Sequence, residues 1–203
     1  DWSLPADDVR LWVCLNELTH HAVIGRPHVR ARLDALLLEY VGGFAPDPTA
    51  LESRLGEVDI ANPASLQAAL GDPETILGAI QTPAQRELIE RLSALVAAIE
   101  GYVDHVMDRV GRTLIESYPS LTEALRRRRT ERTDADTFVE RLFGLELTQR
   151  QFDRGASFAH GVYERAGDDG LARLWAREST LPTPAEVDAP GLWLARTDFD
   201  TNP

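Results

Sequence analysis

Residues 82–111 have the sequence TPAQRELIERLSALVAAIEGYVDHVMDRVG, and this segment predicts the longest helix of the chain. Thr82 and Gln85, with Pro83 between them, match a capping box, in which side chains pair with the free backbone groups of a helix start. Apolar residues then recur every three or four positions, which is the helical period. They are Leu88, Leu92, Leu95, Val96, Ile99, Val103, Val106 and Val110. We therefore expect one helix from the capping box to the vicinity of Gly111.

The rest of the chain also has the capping residues, glycines and prolines that mark the ends of helices. Helices are predicted from about residue 5 to 24, ended by Gly25 and Pro27, and from 28 to 40, ended by Gly42. Prolines break residues 44–82 into two or three short helices. Further helices are predicted after Ser120, at residues 136–143, 148–165 and 169–175, and after a second capping box at residues 183–186. No segment alternates apolar and polar residues as a strand would, so the predicted fold class is all-α.

Length and end points suggest how the chain is organised. Its 203 residues are enough for one compact core, and we find no internal repeat, so residues 1–203 are predicted to form a single domain. The sequence begins at Asp1 without a methionine. We therefore expect it to be the C-terminal part of a longer protein.

Composition excludes several classes of partner. Asp and Glu number 33 against 21 Lys and Arg, which gives a net charge of −12. Such a chain lacks the positive field that binds a nucleic-acid backbone and the basic amphipathic face that binds an anionic membrane. The four consecutive arginines at 126–129 point in different directions on a helix and are expected to form a solvated helix end. The single cysteine, Cys14, excludes an internal disulfide and is expected to be buried and inert, which favours a cytoplasmic location.

A polar motif lies on the first predicted helix. The sequence Asn16-Glu17-Leu18-Thr19-His20 places Asn16 and His20 one turn apart on the same face. That face also carries the apolar residues Val9, Trp12, Val13, Val23 and Ile24. Polar side chains that point into a core need partners, since each unsatisfied group costs about 1–3 kcal/mol. A metal ion or a polar network would supply them, but for His20 alone the simpler interpretation is a core histidine hydrogen-bonded to a carbonyl.

A second polar pair lies on the long helix. Glu100 and Asp104 are also one turn apart and share a face beside the apolar stripe. In a chain this acidic, such a pair is commonly part of a solvated surface. Gly101 follows Glu100, and a glycine inside a helix costs about 1 kcal/mol relative to alanine, which suggests that another backbone approaches closely there.

Together the two pairs resemble a known metal site. A helix with His-Glu-x-x-His and a later helix with Glu-x-x-x-Asp form the zinc site of glutamate-type zincin metallopeptidases. In segment order the chain is similar to the zincin-like metallopeptidase family of actinobacteria and Chloroflexi, which is associated with biosynthesis of the deazaflavin coenzyme. The similar segments are residues 11–20, 100–111, 141–147, 170–175 and 181–186. They extend over nearly the whole chain.

The resemblance implies a role for each residue of the two pairs. His20 and Glu100 would bind zinc, and Asp104 would orient a ligand imidazole. Glu17 would not bind the metal but would act as the general base for attack of water on a carbonyl. The implied fold is a zincin-like helical domain in which the motif helix packs against the long helix. The implied substrate is a peptide or a protein.

The chain departs from the family pattern at the first ligand, because Asn16 stands where the family has histidine. A neutral amide oxygen is a weak zinc ligand, which leaves His20 and Glu100, one fewer than the three protein ligands of a usual catalytic site. The other histidines, at positions 21, 28, 105 and 160, are expected to face elsewhere.

Three explanations of Asn16 remain open at this point. They are a natural loss that leaves an inactive protein, which we favour, an introduced change, and a site that still binds metal weakly. Two functions follow: a zinc metallopeptidase-like hydrolase with a degenerate site, or an inactive helical binding or scaffold protein on the same fold.

Overall fold

The computed structural model describes residues 4–43, 82–130 and 149–199. The described chain forms helices α1 (Ala6–Ile24), α2 (Pro27–Gly42), α3 (Pro83–Leu114), α4 (Tyr118–Thr130), α5 (Gln149–Leu174), a 3₁₀ turn (Glu178–Thr180), α6 (Pro184–Asp188) and α7 (Pro190–Phe199). No strand is present in these three ranges, so the predicted all-α class is confirmed. The short helices predicted between residues 44 and 81, and the one at 136–143, lie outside the described residues. None of the described helices is long and apolar enough to span a membrane.

The long helix begins as its capping box predicts. The backbone N–H of Gln85 donates to Thr82 Oγ1 at 3.2 Å, and the backbone N–H of Thr82 donates to Gln85 Oε1 at 2.9 Å. The Gln85 side chain is buried, and its Nε2 also donates to the backbone carbonyl of Tyr40 at 3.4 Å near the end of α2. One side chain thus starts α3 and holds it against α2.

Helix α3 lies at the centre of the fold, where α1, α2, α5 and α6 pack on it. Its closest neighbour is α5. A methyl group at Gly101 would overlap the backbone carbonyl of Gly155, and a methyl group at Gly155 would overlap the carbonyl of Ala97. The backbones of α3 and α5 therefore touch at this crossing, as the glycine after Glu100 suggested.

Helix α5 changes direction at Gly167, which has φ 60° and ψ −153°, a backbone conformation essentially restricted to glycine. The sequence predicted two helices here, over residues 148–165 and 169–175. The structure shows two helical segments that meet at this residue.

Helix α1 is less buried than its sequence suggested. Of the predicted apolar stripe only Val23 is fully buried, and Val13 is 46% exposed. The face that packs on the core keeps Trp12, Val23 and Ile24 of that stripe and adds Leu15. Val13 is turned about 100° from Trp12 around the helix and faces outward. The expectation that the Cys14 thiol is buried is wrong for the same reason, since position 14 also points away from the core and is exposed.

A buried ion pair holds the C-terminal helices together. Arg196 Nε donates to Glu186 Oε1 at 2.5 Å, and Glu186 Oε2 accepts the backbone N–H of Thr183 at 2.9 Å in the second predicted capping box. Burial raises the pKa of Glu186, but the hydrogen bonds from Arg196 and Thr183 outweigh it and hold that pKa below its ordinary value.

We expect Gly101→Ala to destabilise the protein by about 2 kcal/mol or more, because the added methyl group meets backbone atoms that cannot move aside. Urea unfolding followed by circular dichroism measures the change. Gly191→Ala is the control, since nothing lies within 4 Å of a methyl group there. It should be neutral or stabilising by up to about 1 kcal/mol. Equal stability of Gly101→Ala and the wild type would contradict the close crossing.

We expect Glu186→Gln to cost about 1–3 kcal/mol at neutral pH, because it removes a charged acceptor from a buried network. A carboxyl with a lowered folded-state pKa stabilises the protein above its unfolded pKa, and this contribution is lost as pH falls through the folded value. The difference between wild type and variant should therefore shrink in urea titrations as the pH is lowered below the ordinary pKa of a glutamate. Asp188→Asn is the control: Asp188 pairs with Arg154 at 2.6 Å but is 61% exposed, so we expect a smaller loss.

Candidate functional site

His20 on α1 and Glu100 on α3 are in direct contact. Their side chains meet with His20 Nε2 and Glu100 Oε1 3.1 Å apart, although the residues are 80 positions apart in the sequence. Each side chain is 21% exposed, so the pair is largely shielded but open to solvent on one side. The imidazole and the carboxylate that the sequence singled out therefore face each other across the crossing of α1 and α3.

The second ring nitrogen of His20 also has a partner. Its Nδ1–H donates to the backbone carbonyl of Asn16 at 3.0 Å, one turn earlier on α1. Both nitrogens thus face oxygen acceptors, which a neutral imidazole satisfies only in part because it carries one N–H. The hydrogen bond to Glu100 is the main reason why the pKa of His20 is raised, against the opposing effect of burial.

The separation of the two side chains is compatible with a shared zinc ion. Two ligand atoms at about 2.1 Å from a tetrahedral zinc lie about 3.4 Å from each other. The observed N–O distance of 3.1 Å is close to this value. The Nδ1–H hydrogen bond to Asn16 also leaves Nε2 as the metal-binding nitrogen, which is how proteins usually orient a ligand imidazole.

The other predicted site residues occupy the same region but do not complete a ligand set. Asn16 is half-buried, and the atom that contacts His20 is its backbone carbonyl. Glu17 is exposed and close enough for its charge to favour the protonated form of His20. Asp104 is half-buried and lines a cavity of about 270 Å³ whose described lining includes neither His20 nor Glu100.

The donor set fits zinc only in part. Within residues 4–43, 82–130 and 149–199, no three His, Cys, Asp or Glu side chains are grouped so that they could hold a metal ion. His20 and Glu100 suit zinc in type and separation, while position 16 offers an amide where the third strong ligand would stand. The described residues therefore bring two ligand-type atoms together, one from His20 and one from Glu100.

None of the other histidines joins the pair. His21 is exposed, and His160 is an exposed residue that contacts Glu164 at 3.2 Å on α5. The His105 ring packs on Tyr163 with 4.7 Å between ring centres, and burial is the main reason why its pKa is lowered. Nε2 of His28 and of His105 are buried and have no hydrogen-bond partner in the described part of the chain.

One polar contact beside the site was missed by the sequence reasoning. The hydroxyl of Tyr118 donates to Asp108 Oδ1 at 2.9 Å, in the wall of the cavity that Asp104 lines. Burial and this hydrogen bond raise the pKa of Tyr118. The signal available in the sequence was the glycine at position 111. A methyl group at the buried Gly111 would overlap the Tyr118 ring, so this glycine makes room for the ring.

Comparison with known proteins finds one matching family and one similar solved structure. Residues 1–194 match the family described as zincin-like metallopeptidase. The chain is also similar to a crystal structure from Chloroflexus aurantiacus, described as a proposed hydrolase with a novel fold, at 30% sequence identity and a TM-score of 0.66. The match covers 97% of this chain and 54% of that one, so the chain spans about half the length of that protein. No curated protein matches it.

The family match covers residues 1–194, which is most of the chain. The chain belongs to the zincin-like metallopeptidase family.

Proposed function

We propose that the chain is a metallopeptidase-type hydrolase domain with a degenerate zinc site, formed by His20, Glu100 and Asn16, and that its substrates are peptides or proteins. The observation that carries the proposal is the 3.1 Å separation of His20 Nε2 and Glu100 Oε1. Two unlike ligands on separate helices are thereby directed at one point, and the separation suits a common metal ion.

Each neighbouring residue has a part in this proposal. Zinc bound at such a site supplies a Lewis acid for the substrate carbonyl and lowers the pKa of water. Glu17 is the proposed general base, since its exposed carboxylate lies beside His20 and is open to solvent. Asp104, one turn after Glu100, is the proposed residue that orients a ligand imidazole. Asn16 is the weakest of the three proposed ligands, because its amide offers only a neutral oxygen.

Net charge and cysteine content bear on the binding partners and the cell compartment of the protein. A net charge of −12 disfavours binding to nucleic acid or to an anionic membrane. Cys14 is exposed and free, which suits a reducing compartment, and we propose that the protein is cytoplasmic.

A second candidate is a binding or scaffold protein that uses no metal. It is favoured by the direct hydrogen bonds of His20, whose ring nitrogens already have Glu100 and the Asn16 carbonyl as partners. A proton between imidazole and carboxylate then takes the place of the metal. The two candidates share the same geometry and differ in which cation lies between the two side chains.

We expect Asn16→His to increase zinc affinity at least about tenfold over the wild type, because it replaces a weak amide ligand with an imidazole. Isothermal titration calorimetry of the full chain with zinc measures the change. His21→Ala is the matched control, since that histidine is adjacent in sequence but exposed on another face. It should leave the affinity unchanged.

The double variant Asn16→His with His20→Ala extends this test. It should lose the gained affinity, because the new imidazole would then lack its partner on α1. Unchanged zinc binding in Asn16→His alone would show that position 16 is not the missing ligand, and would favour the metal-free candidate.

We also expect excess zinc to raise the melting temperature of the wild type. Binding to the folded state alone adds about 2.7 kcal/mol of stability at a hundredfold excess over Kd, which corresponds to several degrees. Differential scanning fluorimetry measures the shift, and Glu100→Ala should abolish it. His160→Ala tests for adventitious binding, since His160 and Glu164 form a similar pair, 3.2 Å apart, on the exposed surface of α5. A zinc-induced shift that persists in Glu100→Ala would argue against the proposed site.

A further inference from the structure

A second cavity lies away from the His20–Glu100 contact. It has a volume of about 530 Å³ and lies between α2, α3 and the segment that follows the 3₁₀ turn. Small-molecule sites usually enclose about 300–1,000 Å³, so this cavity is large enough for a ligand. None of the residues that line it belongs to the candidate metal site.

Two arginines give the cavity its charge. Arg32 from α2 and Arg91 from α3 both line it, and Glu178 is the acidic residue of the lining. A positive cavity stands out in a chain with a net charge of −12, where arginines such as Arg154 and Arg196 pair with carboxylates. Among the described residues, the lining has two guanidinium groups and one carboxylate, which suits a ligand with a single negative charge.

Arg32 provides the strongest indication of a ligand. It is half-buried, yet it makes no ion pair with any residue in the described ranges, whereas the neighbouring Arg30 reaches Asp34 at 3.9 Å. Arg91 has a single long contact, 4.0 Å to Glu87 on the same helix. A partly desolvated guanidinium is stabilised by a carboxylate that pairs with it, and a ligand would supply that group.

The other described residues of the lining are mostly apolar, with Ser179 and Thr183 as the polar exceptions. Leu36 and Leu95, both buried at 1% and 2% exposure, form its deeper part, and Leu181 and Pro182 close it from the side of the 3₁₀ turn. An apolar floor beneath two guanidinium groups is complementary to an amphipathic anion, with its hydrocarbon part inside and its charged end at the arginines.

We propose that this cavity binds a carboxylate attached to an apolar group, as found at the C-terminal end of a peptide with an apolar last residue. Arg32 and Arg91 share the carboxylate, and the leucines hold the apolar side chain. Glu178 repels a second negative charge and so selects a carboxylate over a phosphate dianion. The proposal does not depend on metal binding or on hydrolysis.

The test is calorimetric titration of the full chain, treated with a chelator, with N-acetyl-leucine and its neutral counterpart N-acetyl-leucinamide. We expect the acid to bind at least about tenfold more tightly than the amide, because only the acid forms charge-assisted hydrogen bonds. A peptide with the same C-terminal leucine identifies the source of the carboxylate. Tighter binding of the peptide indicates a peptide end, and equal binding indicates a small free acid.

Variants test whether the ligand binds in the cavity. Arg32→Gln should weaken N-acetyl-leucine binding about tenfold or more. Arg30→Gln, the matched control on the same helix, should leave it unchanged, because Arg30 is not part of the lining. Glu178→Gln should improve the binding of inorganic phosphate relative to the acid.

Three results would overturn the proposal. They are absence of saturable binding of the acid at millimolar concentrations, equal affinity for acid and amide, and an equal effect of Arg30→Gln and Arg32→Gln. Tighter binding of phosphate than of N-acetyl-leucine to the wild type would also overturn it, since the cavity would then select charge and not the apolar carboxylate.

Discussion

The contact between the backbones of α3 and α5 is the constraint on which the rest of the structure depends. Gly101 and Gly155 leave no room for a methyl group on either side, so the two helices approach as closely as main chains allow. This contact sets the rotation of α3 about its own axis. Glu100 precedes Gly101 by one position and is turned about 100° from it, which directs its carboxylate away from α5 and toward α1. The packing of one helix pair thus determines where the acidic side of the candidate site points.

The pair of His20 and Glu100 shows how one geometry serves two kinds of chemistry. Two acceptor atoms 3.1 Å apart need a cation between them, and either a proton or a metal ion provides it. Which one is bound depends on the number of further ligands, because zinc in a catalytic site generally has three from the protein. Residue 16 lies one turn from His20 on the same helix face, and in the proposed zinc site it is the position of the third ligand.

Acidic and basic side chains are unevenly distributed over the described part of the molecule. Several carboxylates among the described residues pair with arginines, as in the Glu186–Arg196 contact that ties the C-terminal helices together. The cavity lined by Arg32 and Arg91 is a local exception in an acidic chain. Its buried leucines, Leu36 and Leu95, belong to the same core that supports α3. A concave, positive and partly apolar surface of this kind is suited to recognition of a ligand by charge and shape together.

Local features of the sequence were enough for most of the described helices, for the starts at Pro83 and Pro184, and for the family. The capping boxes at Thr82 and Thr183, the break of α5 at Gly167 and the small residue at position 101 depend on neighbours within a few positions, where hydrogen bonding and helical period leave little choice. The motif residues Asn16, His20 and Glu100 could likewise be named from their spacing and from the family pattern. Tertiary structure alone decided that Val13 and Cys14 face outward, that His20 meets Glu100, and that Arg32 lines a cavity with residues about 150 positions away. Such contacts depend on how several helices pack at once, and the free energy of that packing is not contained in any single segment.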